Sequence, residues 1–241
     1  VSRFDAALVA GRPHAAYIRS LGFPANKIFL GYDVVDNDYF SVETQLIRQD
    51  RARWSQEWRL PNPFFLIVAR FIPEKNLSRT LDAYAQYRQA VTSPWDLVIA
   101  GSGELEKELH AKADSLGLSG LHWSGFVQYS ELPVLFGLAS ALLFPSVKDT
   151  WGLAVNEAMS SALPVLVSRK AGCSLDLVED GKNGFLFDPF CVDEIAVVMC
   201  RMSELSGEAR AAMGQRSQEI IAEWGPDRFA EGMMQAVEAS K

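Results

Sequence analysis

The stretch ALLFPSVKDTWGLAVNEAMSSALPVLVS, residues 141–168, decides the fold. It opens on an apolar run at 141–146, closes on another at 164–168, and carries a helical segment at 151–162 between them. Strands that are apolar throughout suit a parallel sheet covered on both faces, and a helix is the usual connection between parallel neighbours. The same alternation extends outward. FFLIVA (64–69), DLVIAG (96–101), LHWSG (121–125) and GFLFD (184–188) read as further strands, and 78–91, 103–117 and 130–139 as helices. Beyond residue 188 the chain reads as helical. The expectation is an α/β fold: a doubly wound parallel sheet with helices on both faces and a helical C-terminal tail.

The first forty residues read differently. DAALVAG (5–11) has the character of a strand, RPHAAYIRSLG (12–22) of a helix and NKIFLGYD (26–33) of a second strand, followed by a polar link, VVDNDYFS (34–41). One strand–helix–strand cannot bury a core of its own. It either joins the edge of the main sheet or belongs to a domain of which it is a part, and the start without Met reads as a cut from something longer.

Composition narrows the function. The 241 residues, 49% hydrophobic, are enough for a sizeable core. A net charge of −7 with no basic run argues against nucleic acid as a partner. Cys173, Cys191 and Cys200 are odd in number and form no C-x-x-C pair, so they read as reduced thiols of a cytosolic protein rather than a disulfide framework or zinc site. His14, His110 and His122 have no metal-ligand spacing. No apolar run reaches the roughly 18 residues of a membrane span, and there is no signal-peptide pattern.

Within the opening stretch, Asp149 or Thr150 is placed to cap a helix starting near Trp151. The first N–H groups of such a helix have no partner inside it and face the carboxyl edge of the sheet, where open α/β folds bind ligands. Gly152 has no Cβ and lets a ligand approach the backbone. This is the geometry of a phosphate site. The helix dipole contributes roughly 0.3–1 kcal/mol and a charged hydrogen bond roughly 1.5–3, so cations are needed as well. Carboxylates accept paired hydrogen bonds from vicinal sugar hydroxyls. Glu157 could therefore hold a ribose and Asp149 a transferred sugar, with the amides of Thr150, Trp151, Gly152 and Leu153 between them. An equal alternative on this stretch alone makes Asp149 a plain N-cap and Glu157 a solvated helical side chain.

Three more stretches bear on the choice. In VARFIPEKNLSRTL (68–81), Arg70 ends a buried strand and Lys75 follows a turn. Both project from the carboxyl edge as a fork and a point charge suited to a diphosphate, unless Arg70 only pairs with Glu74 at the surface. In IAGSGELEKEL (99–109), Gly101, Ser102 and Gly103 turn a strand into a helix. The third glycine of a dinucleotide fingerprint is missing, which argues against NAD and leaves a tight turn as the plain alternative. In WSGFVQYSEL (123–132), a base could lie against Phe126 and Val127, unless Phe126 is simply packed in the core.

Together these residues resemble the nucleotide-sugar-binding half of a retaining glycosyltransferase of the GT-B fold, in the large group-1 type family (family 4). ARFIPEKN (69–76) is similar to its G-R-x-x-x-x-K-N element, and AGSGELEKEL (100–109) to its A-G-x-G-x-x-x-x-x-L element. FPSVKDTWGLAVNEAMSSALPVLVS (144–168) is similar to its E-x7-E signature and VEDGKNGFLFDP (178–189) to the stretch that follows it. The likeness spans roughly 60–190, in order and with matching spacing. It implies a Rossmann-like C-terminal domain of a GT-B fold at 43–223. A remnant of the acceptor domain plus linker would occupy 1–42, and a helix at 224–241 would pack back toward the N-terminal side. It implies transfer with retention from a UDP- or GDP-sugar to a saccharide or lipid-linked acceptor, with no metal and no other cofactor. By the same resemblance Arg70, Lys75 and Asp149 are catalytic. Gly101, Ser102, Gly103, Phe126, Val127, Thr150, Trp151, Gly152, Leu153 and Glu157 hold the donor.

The match has departures. Asp149 stands where a Glu is usual, one methylene shorter, and Trp151 where a Phe is common. Ala162 and Cys173 stand where glycines are usual and are expected to narrow the approach to the backbone. With the acceptor domain absent, the chain is expected to bind donor weakly and to transfer little. The implied location is cytoplasmic, with any contact to the inner face of the membrane made through the acceptor domain. A nucleotide-sugar epimerase of the same fold and a non-catalytic partner protein are the competing readings.

Overall fold

The computed structural model describes residues 4–241, so the first three residues of the segment 1–42 lie outside the described residues. In chain order the elements are β1 (Ala7–Val9), α1 (Arg12–Ser20), β2 (Ile28–Leu30), α2 (Asn37–Gln49), α3 (Arg51–Glu57), β3 (Phe64–Val68) and α4 (Leu77–Ala90). There follow β4 (Asp96–Ala100), α5 (Glu106–Ser115), β5 (Leu121–Gly125), α6 (Leu132–Leu138), β6 (Ala141–Phe144) and α7 (Leu153–Ser160). The last are β7 (Val165–Ser168), α8 (Ser174–Leu177), β8 (Gly184–Phe187), α9 (Val192–Glu204), α10 (Gly207–Ile221) and α11 (Pro226–Ala239).

Six strands form one sheet in the order β5-β4-β3-β6-β7-β8, every pair parallel. Side chains alternate between two cores. Leu66, Val98, Leu142 and Val167 join residues of α2, α6 and α7 on one face. Ile67, Leu97, Ile99 and Leu143 join residues of α4, α5 and α9 on the other. Each fully buried aliphatic or aromatic side chain stabilises the fold by about 1.5–3 kcal/mol, which is why these strands carry no polar face. The chain winds outward from β3 through β4 to β5, then returns to β6 beside β3 and winds outward through β7 to β8. That reversal opens a crevice between the carboxyl ends of β3 and β6, the place where open α/β sheets take their ligands.

The polar link expected at 34–41 becomes a helix from Asn37 onward. Asp36 caps it, its carboxylate accepting from the Tyr39 amide at 2.9 Å. Phe40, Thr44 and Ile47 form its buried stripe at helical spacing. They pack on α6 so closely that a Cβ on Gly137 would lie 2.9 Å from Ile47 Cγ2. The division at 42/43 therefore falls inside a continuous helix.

Strands β1 and β2 pair with each other, in parallel, and not with the large sheet. Helix α11 lies across them, since a Cβ on Gly232 would stand 2.8 Å from both the Leu30 carbonyl oxygen and Leu8 Cδ1. Helix α1 is tied to α8 by Arg12, whose backbone N–H and Nε donate to Asp176 at 3.0 and 2.7 Å.

Candidate functional site

A cleft of about 1050 Å³ lies over the crevice between β3 and β6. The large sheet contributes Arg70, Lys75, Gly101, Ser102, Phe126, Val127, Asp149, Thr150, Trp151, Gly152 and Leu153 to its wall. The small β1–β2 unit closes the other side with Leu8, His14, Tyr17, Tyr32 and Asp33.

Backbone geometry shapes the floor. Gly101 has φ +138°, and a Cβ there would stand 1.8 Å from the Ala69 carbonyl oxygen, so the end of β4 passes β3 only as glycine. Helix α7 starts at Leu153, two residues later than expected, and neither Asp149 nor Thr150 caps it. Gly152 takes the N-cap place in the left-handed region, φ 112°, with no side-chain cap. A Cβ on it would press on the Phe144 ring at 2.9 Å. The uncapped first turn leaves its N–H groups facing the cleft, with Val155 bonded back to the Gly152 carbonyl at 2.8 Å.

Freed from capping, Asp149 forms an ion pair with Lys75, one member from each side of the switch point. Both side chains are largely buried, 18% and 15% exposed, and Lys75 Nζ also stands 5.4 Å above the Phe144 ring. Two ties hold the Lys75 loop: the Glu74 carbonyl accepts from the Val147 amide at 2.8 Å, and Asn76 Nδ2 donates to the carbonyls of Pro145 and Pro189 at 3.2 and 2.8 Å. Arg70 is exposed and has no ion pair with Glu74 or with another acid among the described residues.

Phe126 is 69% exposed at the cleft rim rather than packed in the core. Trp151 is the opposite case. Its indole is 2% exposed, donates to Asn156 Oδ1 at 2.9 Å and lies 5.0 Å from the Trp224 ring, so the backbone is what it offers a ligand.

Two expected donor-site residues do not line the cleft. Gly103 serves the turn, where a Cβ would come 2.6 Å from the Phe71 carbonyl oxygen. Glu157 lies beneath the wall, 9% exposed, with no hydrogen bond to its carboxylate among the described residues. Burial pushes its carboxyl up to about 7. Tyr129, a rim residue, has its hydroxyl pushed up first by burial and then by the charge of Glu157. The departures at 162 and 173 do not narrow the cleft either. Ala162 sits past the far end of α7 and Cys173 is buried behind Gly152.

His14, Asp33 and Tyr129 in the cleft lining, and the tie made by Asn76, belong to no motif that the sequence displays as a donor site. The carboxyl-edge rule would have found the first two, since each follows a short strand of the β1–β2 unit. Among the described residues no group of three or more His, Cys, Asp or Glu is placed to hold a metal ion, and no helix is long and apolar enough to cross a membrane.

Known proteins are similar to this chain. Sulfoquinovosyl transferase SQD2 of Arabidopsis thaliana is 36% identical over 204 residues, covering 81% of this chain and 36% of that protein. Alpha-D-kanosaminyltransferase of Streptomyces kanamyceticus is 24% identical over 206 residues, covering 85% of this chain and 52% of that protein. The chain thus spans about a third to a half of the length of these curated relatives. Among solved structures, Anabaena HepE in complex with UDP superposes with a TM-score of 0.79 at 20% identity, covering 98% of this chain and 64% of that one. Sucrose-phosphate synthase from Thermosynechococcus elongatus gives 0.79 at 20%, covering 96% and 57%. The doubly wound six-stranded sheet with its helical tail is that of GT-B glycosyltransferases. Residues 48–220 match the family model for glycosyl transferases group 1, and the chain belongs to that family.

Proposed function

We propose that this chain is the donor-binding part of a retaining, metal-independent glycosyltransferase that uses a UDP- or GDP-sugar and a saccharide or lipid-linked acceptor. The observation that carries the reading is the meeting of Lys75, Arg70, Asp149 and the uncapped start of α7 in one cleft at the switch point. In this reading the diphosphate sits on the N–H groups of α7, with Lys75 and Arg70 as its cations. Charge builds on the leaving phosphate as the sugar departs with oxocarbenium character, and these donors act most strongly there. Lys75 is held by Asp149 until phosphate arrives, and Asp149 is then free to accept from sugar hydroxyls. In the same reading the base rests against Phe126 and Val127, and Glu157 would receive the ribose hydroxyls. Gly101 and Ser102 bound the phosphate side, and Gly103 supports their turn. Relatives named for GDP-mannose and a structural neighbour carrying UDP leave both bases in play.

Equilibrium dialysis of UDP-glucose and GDP-mannose in EDTA-treated buffer tests this reading. One donor should be retained by the protein and released by Glu157→Ala. Retention that requires added divalent metal would remove the metal-independent part, and retention unaffected by Glu157→Ala would remove the ribose assignment.

A further inference from the structure

Lys75 is a long, flexible side chain on a loop, and a cation serves a diphosphate best where its backbone is held. Once phosphate displaces Asp149, the loop loses its ion pair and keeps its hydrogen bonds. One is the Glu74 carbonyl accepting from the Val147 amide at 2.8 Å. The others come from the side chain of the next residue, Asn76. Asn76 is 7% exposed, and its backbone lies in the left-handed region, φ 57°. Glycine takes that conformation as readily, so the turn alone does not call for a carboxamide. The carboxamide does what glycine could not. Its Nδ2 donates to the Pro145 carbonyl, just past β6, at 3.2 Å and to the Pro189 carbonyl, just past β8, at 2.8 Å. Its Oδ1 accepts from Arg79, whose guanidinium stands 5.7 Å from the Phe190 ring. Strand β8 lies two places beyond β6 in the sheet, so one side chain joins the loops leaving β3, β6 and β8 at the carboxyl edge. The β6 loop carries Asp149. Neither Asn76 nor Pro189 lines the cleft, and both amide hydrogens of Asn76 are engaged inside the protein. Asn76 therefore acts on a ligand through its neighbour.

We propose that Asn76 is a positioning residue whose carboxamide holds the Lys75 ammonium at the switch point after the diphosphate has taken the place of Asp149. This rests on the donor-site reading above, with the diphosphate on α7. The loop after β8 then supports the phosphate site without touching it. The phosphate that Lys75 meets is the one that carries the sugar, which a nucleoside monophosphate lacks.

The test is calorimetric titration with UDP, UMP, GDP and GMP of the chain, its Asn76→Gly, Asn76→Asp and Lys75→Ala variants, and the double variant Lys75→Ala with Asn76→Gly. Asn76→Gly keeps the left-handed backbone and removes the carboxamide. Asn76→Asp keeps the shape and turns a carboxylate toward two carbonyl oxygens. For the base that the protein takes, both should weaken the diphosphate by about tenfold, the scale of one charge-assisted hydrogen bond. The monophosphate should bind as it does to wild type, which also shows that the variants fold. In the Lys75→Ala background, Asn76→Gly should leave diphosphate affinity unchanged, because the residue it acts through is gone. Equal losses for monophosphate and diphosphate, single losses that multiply in the double variant, or no loss at all would overturn the inference while leaving the donor site standing. Absence of binding to every nucleotide by the wild-type chain would overturn the donor site, and this inference with it.

Discussion

At the residue scale, Glu157 is the group whose chemistry is most displaced by its surroundings. Its carboxyl is raised from 4.5 to about 7 by burial. A carboxyl raised on folding costs nothing while protonated in both states, below pH 4.5. The cost grows as the pH rises and is complete above about 7. Its size is on the order of 3 kcal/mol. Thermal melts of Glu157→Gln should therefore gain on wild type steadily between pH 4.5 and 7, and the gap should stay constant above that. A gap independent of pH would contradict the burial of an ionisable carboxyl here. In the donor-site reading the same variant loses nucleotide affinity, so a stabilising change and a binding loss should appear together. The sequence could place Glu157 on a helix a turn and a half from Asp149. It could not show that the side chain lies beneath the wall, because depth is set by packing between segments distant in the chain.

At the scale of elements, strands were the most legible feature. Runs such as 64–69 and 96–101 are apolar on both faces because both faces are covered, and a pattern that extreme has few alternatives. Helix α2 hides in a polar-looking segment because its buried stripe contains Thr44, whose hydroxyl bonds the Phe40 carbonyl at 2.6 Å and so can be buried. Asp149 has the chemistry of an N-cap and suggests an earlier start for α7, yet the left-handed Gly152 sets the start and leaves Asp149 to Lys75. Two substitutions test these turns by urea denaturation. Ala162, at φ 53°, pays for a conformation that glycine adopts freely, so Ala162→Gly should stabilise by about 1 kcal/mol. Gly101→Ala should cost on the order of 3 kcal/mol or more, combining backbone strain with a clash against the Ala69 carbonyl.

At the scale of the whole molecule, the cleft joins two units that the sequence could only list side by side. The β1–β2 unit meets the large sheet through Arg12 and Asp176, through Gly11, where a Cβ would fall 2.5 Å from the Trp151 ring, and through α11. Asp176 is nearly buried, with a side chain 2% exposed, and Arg12 is its partner. Arg12→Ala should accelerate amide exchange in β1, α1 and β2 while the six-stranded sheet keeps its protection; uniform acceleration would mean that the two units unfold as one. Such long-range pairing leaves no local pattern, which is why the four sequence elements were legible and the opposing wall was not.

The most direct test is calorimetric titration of the chain with UDP and with GDP, beside Lys75→Ala. Saturable binding of one nucleotide, weakened about tenfold or more in the variant, is the expected result, because removing Lys75 takes away the cation that meets the diphosphate and leaves Asp149 unpaired against it. Equal affinity in the two proteins, or no binding of either nucleotide by the wild type, would contradict a diphosphate site at the switch point.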